Sequence, residues 1–264
     1  VLHRVPKGEV KTLTIKRNRT GQWFAVFACE VETHKASHPY PEAKVGIDVG
    51  LENFATLSSG VRISNPHFLI KSERKLKKLQ RRLSRKKKDS ANRRKAVRKV
   101  AKLHVKIANQ RGDFLHQQSR LLTNIYGFVA SEKLNINGML HNHHLAKHIA
   151  DASWNRFLQM LSYKAESAGG RFAENPKTWG SSKRCSNCGA EREMTLSDRV
   201  FECSNCGFSA HRDVNSALNH LKDTAGLAGI HTPVETVAST PKHNNLGASG
   251  VVETGTTRNG SQFH

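Results

Sequence analysis

An α/β fold with a small four-cysteine metal module set into it is what this 264-residue sequence predicts, on three observations. Short apolar runs bounded by turn residues recur along the chain, as in KVGIDVG, FATLSSG and GFVASE, which is the pattern of strands. Longer stretches carry apolar residues three and four apart, which is the pattern of helices. Four of the five cysteines stand in two CxxC pairs, the spacing of a metal site rather than of a secreted disulfide framework.

The composition narrows the partner. A net charge of +22 and a pI near 10.2 are too extreme for an ordinary metabolic enzyme, and point to a polyanion bound with strong salt dependence. Nucleic acid is the default. No apolar run approaches the roughly 18 residues of a membrane span, and VLHRVPKGEV at the N-terminus has no apolar signal core. A soluble, cytoplasmic protein is expected. The length suits one elaborated core with an insertion.

Taken in order, VKTLTIKRN and QWFAVFACEV alternate about the turn NRTG and predict a β-hairpin between residues 9 and 32. It reads as the middle of a larger β unit, so residues 1–42 are expected to be the remnant of an N-terminal β domain and the chain to be truncated there. HKASHPYPEA then separates the units. Residues 44–64 predict a three-strand meander. Asp48 falls on its first strand in apolar surroundings, where a buried carboxylate is costly without a cation or hydrogen bonds; alternatively it caps a turn beside Gly50.

Residues 66–124 predict two antiparallel helices, with Leu76, Leu79 and Leu83 on the first and Val97, Val100, His104, Ile107, Phe114, Leu121 and Ile125 on the second. Between Lys71 and Lys106, 18 of 36 positions are Lys or Arg against two acids, Glu73 and Asp89, so this stretch alone carries +16 of the +22. A solvated face ordinarily mixes both signs. A single-sign surface without aromatic residues suits phosphate contacts along a duplex rather than base stacking. The residues expected to make them are Arg74, Lys78, Arg81, Arg82, Arg85, Lys86, Arg93, Arg94, Arg98 and Lys102.

NIYGFVASEKLNI is a further short strand and ends on Glu132, again a carboxylate at the end of a buried run. Residues 140–168 predict one long helix with Leu145, Ile149, Trp154, Phe157, Leu158, Leu161 and Ala165 on its apolar face, closed by Gly169 and Gly170. His141, His144 and His148 are read as a polar face of that helix rather than a metal site. RFAENP adds a strand. CSNCG at 185–189 and again at 203–207 gives C-x2-C-x14-C-x2-C, so Cys185, Cys188, Cys203 and Cys206 are expected to close a structural tetrahedral Zn2+ site on which the ribbon's folding depends. A redox dithiol would explain one such pair but not two. FSAHRDVNSALNHLK then starts a helix with Asp213 in its first turn, where the helix dipole alone would favour an acid. The stretch from 224 to 264 is rich in Gly, Ser, Thr and Asn and is expected to be disordered.

Together, GIDVGLENFATLSSG, the basic helical pair, ASEKLNINGM, DASWNRFLQMLSYKAESAGG, TWGSSKRCSNCG and CSNCGFSAHRDVNSALN resemble, in order, the TnpB (OrfB) family of insertion-sequence-encoded RNA-guided nucleases related to type V CRISPR effectors. The resemblance covers about residues 5–222. It implies an RNase H-like (RuvC-type) nuclease core over residues 43–182 that includes the basic hairpin 66–124, a zinc ribbon at 183–209, a last core helix at 210–223, and a partial wedge-like β domain at 1–42. It makes Asp48, Glu132 and Asp213 the acids for catalytic Mg2+, two ions about 4 Å apart, with Asp48 the bridging ligand. The implied partners are a DNA target and a guide RNA from the mobile-element end, with base pairing reading the sequence and the protein holding the heteroduplex by its backbone. Other readings are an RNA-guided regulator that binds without cleaving, and a transposase that joins strands itself. Against the latter, Tyr40, Tyr126 and Tyr163 are scattered, with no paired-His motif. A plain zinc-ribbon DNA-binding protein would leave the acids without a purpose.

Overall fold

The computed structural model describes residues 8–225 apart from 19, 32–36, 176–179 and 196; the tail from 226 to 264 lies outside the described residues. The chain opens with β1 (Glu9–Arg17) and β2 (Trp23–Glu30), which pair antiparallel as the alternation predicts. Asn18 makes the turn: its carboxamide oxygen accepts from the backbone N–H of Thr20 and Gln22 at 2.9 and 3.0 Å, and Gly21 takes φ 91°, a left-handed conformation open to glycine at little cost.

The centre is a five-stranded mixed sheet. β3 (Lys44–Val49), β4 (Asn53–Leu57) and β5 (Arg62–Ser64) form the antiparallel meander, and β6 (Phe128–Glu132) and β7 (Arg171–Asn175) add in parallel on the other side of β3, giving the order β5-β4-β3-β6-β7. Alternation sorts the two faces. Val45, Ile47 and Val129 are fully buried in the main core with Leu115, Leu122, Phe157 and Leu161, contributed by the long helix α2 (Ala91–Ile125) and by α5 (Trp154–Ser167). Gly46 and Asp48 point to the opposite face, which is covered by the last helix, α6 (Arg212–Ala225). Gly46 is what lets α6 come so close: a Cβ at that position would lie 1.8 Å from the Ala217 carbonyl oxygen.

α1 (Phe68–Ser84) and α2 form the predicted antiparallel pair. Ser90 caps α2 by accepting from the Arg93 N–H at 3.1 Å, and Asp89 turns the chain at φ 62°. The buried seam between the helices is Leu76, Leu103 and Ile107. The helical spacing predicts Val97, His104 and Leu121 on the apolar stripe, whereas Val97 is 43% and Leu121 53% exposed and His104 is exposed too, and the buried positions are Leu103, Leu115 and Leu122. α2 runs 35 residues and packs first on α1 and then on α5 and β6, so one fixed stripe cannot describe both contacts.

The helix predicted over 140–168 is instead α3 (Ile136–Leu140), a turn, α4 (Ala146–Ala152) and α5, broken by Ser153 at φ 58°. The break has a tertiary reason. Asp151, only 5% exposed, accepts from the Leu69 N–H through both oxygens at 3.1 and 3.0 Å and from Arg111 at 2.8 Å. It therefore supplies the cap that His67, at the start of α1, does not. His141 and His144 are exposed in the turn rather than on a helix face. Beyond β7, the short strands β8 (Val200–Glu202) and β9 (Ser209–His211) pair antiparallel and lead directly into α6.

Candidate metal centres and nucleic-acid surface

The strand register builds the first site. Ile47 pairs with Ser131 and Glu132 with Asn175 in parallel ladders, so Asp48, Glu132 and Asn175 form one polar row across the ends of β3, β6 and β7. All three side chains lie on the face that α6 covers. Directly behind them Gly46, Ala130 and Ala173 pair in sequence, a row of small residues that admits the helix. α6 contributes His220, 1% exposed, whose Nε2 is 3.5 Å from Asp48 Oδ1. Ligand-capable atoms of Asp48, Glu132 and His220 all lie within 4.8 Å of one another.

Two of the three expected acids thus meet, together with a histidine that sequence reasoning missed. Asp213 lies outside that tight group. It sits in the first turn of α6, where its charge pushes the Asp48 pKa upward, and its Oδ2 is 3.8 Å from His211 Nδ1. The signal that could have found His220 is its spacing: seven residues from Asp213 is about two helical turns, hence the same face. Burial raises the Asp48 pKa above the usual carboxylate range, opposed by His220. Burial, then the neighbouring Asp48, pushes Glu132 up to about 7, again opposed by His220. Adjacent carboxylates that resist ionisation when buried are a donor set suited to a hard divalent cation, whose charge would reverse the penalty.

The second site is the cysteine cluster. The Sγ atoms of Cys185, Cys188, Cys203 and Cys206 lie within 4.8 Å of one another. Cys185 to Cys206 is 3.7 Å and Cys188 to Cys203 is 3.5 Å. Disulfides would need about 2 Å, whereas a tetrahedral ion with metal–sulfur bonds of about 2.3 Å places thiolates about 3.8 Å apart. The four cysteines are thus compatible with a zinc site. The two knuckles repeat each other. Gly189 N donates to Cys185 O and Gly207 N to Cys203 O, both at 2.9 Å, with the two glycines at φ 80° and 72°. The Asn187 side chain points its N–H at Cys206, and that of Asn205 at Cys188, each at 3.6 Å. Backbone and side-chain N–H groups from Ala190 and Asn205 bring the Cys188 thiol down to about 6, while burial raises Cys185 to about 11.

The first knuckle is fastened to α6. Ser186 N donates to Asn215 Oδ1 at 2.9 Å, Asn215 Nδ2 to Arg184 O at 2.8 Å, and Asn219 Nδ2 to Ser181 O and Arg184 O at 2.7 Å each. Lys222 Nζ donates to Ser186 O. Both Asn215 and Asn219 are almost fully buried. The helix that faces the acid row is therefore the same one that holds the first cysteine knuckle.

The third feature is the surface of α1 and α2. Of the ten basic residues expected to touch phosphate, Arg74, Lys78, Arg81, Arg82, Arg85, Lys86, Arg94, Arg98 and Lys102 are exposed. Arg93 is half-buried, and its Nη1 lies 3.4 Å from Leu83 O, tying the two helices together. One of the two acids in the stretch is occupied locally: Glu73 pairs with Lys77 at 3.0 Å and Lys147 at 3.2 Å.

With this geometry in place, residues 26–143 match the family model OrfB_IS605, described as a probable transposase, and residues 154–220 match the Cas12f1-like TNB domain. A Streptomyces pristinaespiralis protein provisionally named RNA-guided DNA endonuclease is 41% identical over 85% of the chain. The chain belongs to the TnpB (OrfB) family. This family member spans about half the length of the curated relatives it matches, covering 55% of the Streptomyces protein. It likewise covers 56% of InsQ of Escherichia coli K12, provisionally named RNA-guided DNA endonuclease, which is 33% identical over 81% of the chain. Among solved structures, Cas12f1 in its complex with sgRNA and target DNA superposes with a TM-score of 0.50 at 18% identity, covering 79% of this chain and 55% of that one; the likeness is one of fold. Among the described residues, no helix is long and apolar enough to cross a membrane.

Proposed function

We propose that this chain carries the nuclease core of a transposon-associated RNA-guided DNA endonuclease, an RNase H-like unit that hydrolyses DNA phosphodiesters with two Mg2+ ions. The observation that carries the reading is the meeting of the half-buried Asp48 and Glu132 on neighbouring parallel strands, in a chain of net charge +22. Asp48, on the central strand, with Glu132 and Asp213, would hold the ions. When bound, such ions activate water and stabilise the leaving oxygen of the phosphodiester. The exposed cations of α1 and α2 track the backbone of a guide RNA–target DNA heteroduplex, leaving sequence selection to base pairing. A structural Zn2+ on the four cysteines keeps the first knuckle, and with it α6, in place.

The test is cleavage of target DNA by the chain purified with RNA transcribed from its own locus, with and without Mg2+, beside Asp48→Ala. The expected result is Mg2+-dependent cleavage, reduced by about three orders of magnitude or more in the variant. Equal binding of nucleic acid by both proteins, with no cleavage by either, would replace this reading with that of a binding-only regulator of transposition.

A further inference from the structure

His220 reaches the acid row through a line of polar contacts that the proposed reaction does not itself use, and its buried Nε2, which makes no hydrogen bond among the described residues, approaches Asp48 at the end of that line. Arg184, the residue before the first knuckle cysteine, donates from Nη2 to Asp223 Oδ2 at 2.5 Å. Asn175 Nδ2 donates to the same oxygen at 2.9 Å. That same Nδ2 lies 3.4 Å from His220 Nδ1, and His220 Nε2 lies 3.5 Å from Asp48 Oδ1. Asn175 and His220 are buried, so water does not compete for the contact between them.

The line has a direction. Asp223, facing a guanidinium, can only accept, so Asn175 must turn its NH2 toward it. An NH2 carries two hydrogens, and the second faces His220 Nδ1, which must then hold a lone pair. In the neutral ring the proton is left on Nε2, the atom that faces the Asp48 carboxylate. A metal ligand would need the Nε2 lone pair, which this tautomer does not offer.

We propose that His220 is a positioning residue: its Nε2–H orients the Asp48 carboxylate from behind, and Asn175, held by Asp223 and Arg184, fixes the tautomer that makes this possible. The proposal rests on the reading of Asp48 as a metal-binding acid. It also links the zinc ribbon to the acid row, because Arg184 is the last residue before Cys185. Outer partners of this kind orient ligands and are worth about 10- to 100-fold in metal affinity or activity.

The test compares Mn2+ affinity, read by electron paramagnetic resonance on the full chain, for the wild type, His220→Gln, His220→Leu and Asp48→Ala. Gln can present an amide N–H near the position of Nε2, whereas Leu cannot. Wild type and H220Q are expected within about threefold of each other, with H220L weaker by about 10- to 100-fold. In cleavage, H220L is expected to lower kcat and raise the Mg2+ requirement with KM for DNA unchanged. A measurement that needs no variant is the 15N spectrum of the imidazoles, which should show His220 protonated at Nε2 and bare at Nδ1. An Nδ1–H tautomer, H220L binding Mn2+ as tightly as wild type, or H220Q as weak as H220L would each overturn the proposal. If the affinities separate as stated but the wild type does not cleave, the nuclease reading falls and the positioning role stands.

Discussion

The acid row and the basic helical pair carry most of the polar chemistry of this molecule and are built on opposite plans. In the row, Asn175 and His220 are buried and Asp48 and Glu132 half-buried, and each is fixed by strand register or by one neighbour. On α1, α2 and the turn that joins them, the nine exposed cations expected to meet phosphate stand in solvent, and what matters is their common sign. In a low-dielectric site one misplaced or missing group changes the energy of all the others. On a solvated surface each charge is screened and nearly independent. Substitutions should therefore be decisive one at a time in the row and only by accumulation on the helices.

The strongest way to sharpen that contrast, after Asp48→Ala, is to disturb the row without touching its polar atoms. Gly46→Ala does so. Its Cβ would meet the Ala217 carbonyl at 1.8 Å and Leu221 Cβ at 3.0 Å, and a backbone atom cannot swing aside like a side-chain end. α6 must move, carrying Asp213 and His220 with it. The expected cost is about 3 kcal/mol or more of stability, measured by denaturant unfolding, with cleavage lost beyond what instability explains. An unchanged midpoint would mean that α6 does not lie against β3 as described.

A smaller effect, and of opposite sign, is expected at Glu132. Its folded pKa of about 7 stands above the usual 4.5, so the folded state holds a proton that the unfolded chain releases. The stability this brings is fully present below about pH 4.5 and is lost as pH rises to 7. Glu132→Gln keeps the neutral shape, and should raise the stability of metal-free protein at pH 8 by on the order of 2 kcal/mol, roughly 5 °C in melting temperature. The same variant should lose cleavage. A gain that is equally large at pH 4 would break the assignment, because there wild-type Glu132 is already protonated.

How much of this was legible beforehand depended on how local the cause is. The four cysteines and their glycines were readable because each knuckle closes within five residues. Asp48 and Glu132 were readable because a carboxylate in an apolar strand is conspicuous whatever lies beside it. Asn175 and His220 were not, since an asparagine at a strand end and a histidine in a polar helix become notable only when the parallel register and α6 bring them to Asp48. The break at Ser153 was invisible for a similar reason: Asp151 looks like an ordinary helix residue until Leu69 and Arg111, 82 and 40 residues away, are found at its carboxylate. On α2 the helix itself was plain, but its buried positions depend on which element it crosses, so Leu103 and Leu122 displaced His104 and Leu121.

The smallest effects belong to the basic helices, where the contrast is most exposed to refutation. Replacing any one of Arg74, Lys78, Arg81, Arg82, Arg85, Lys86, Arg94, Arg98 or Lys102 by Gln should weaken nucleic-acid binding by no more than about eightfold near 0.1 M salt, and lower the slope of log K against log salt by about 0.9 if that residue meets a phosphate of B-form DNA. Pairs should add, because the charges do not share partners. Arg93 is the internal control: half-buried and reaching Leu83 O, it should affect the melting of the helical pair rather than the salt slope. A single exposed cation whose loss abolished binding, leaving the slope unchanged, would show that this surface reads a specific group after all and that the two regions are not built on different plans.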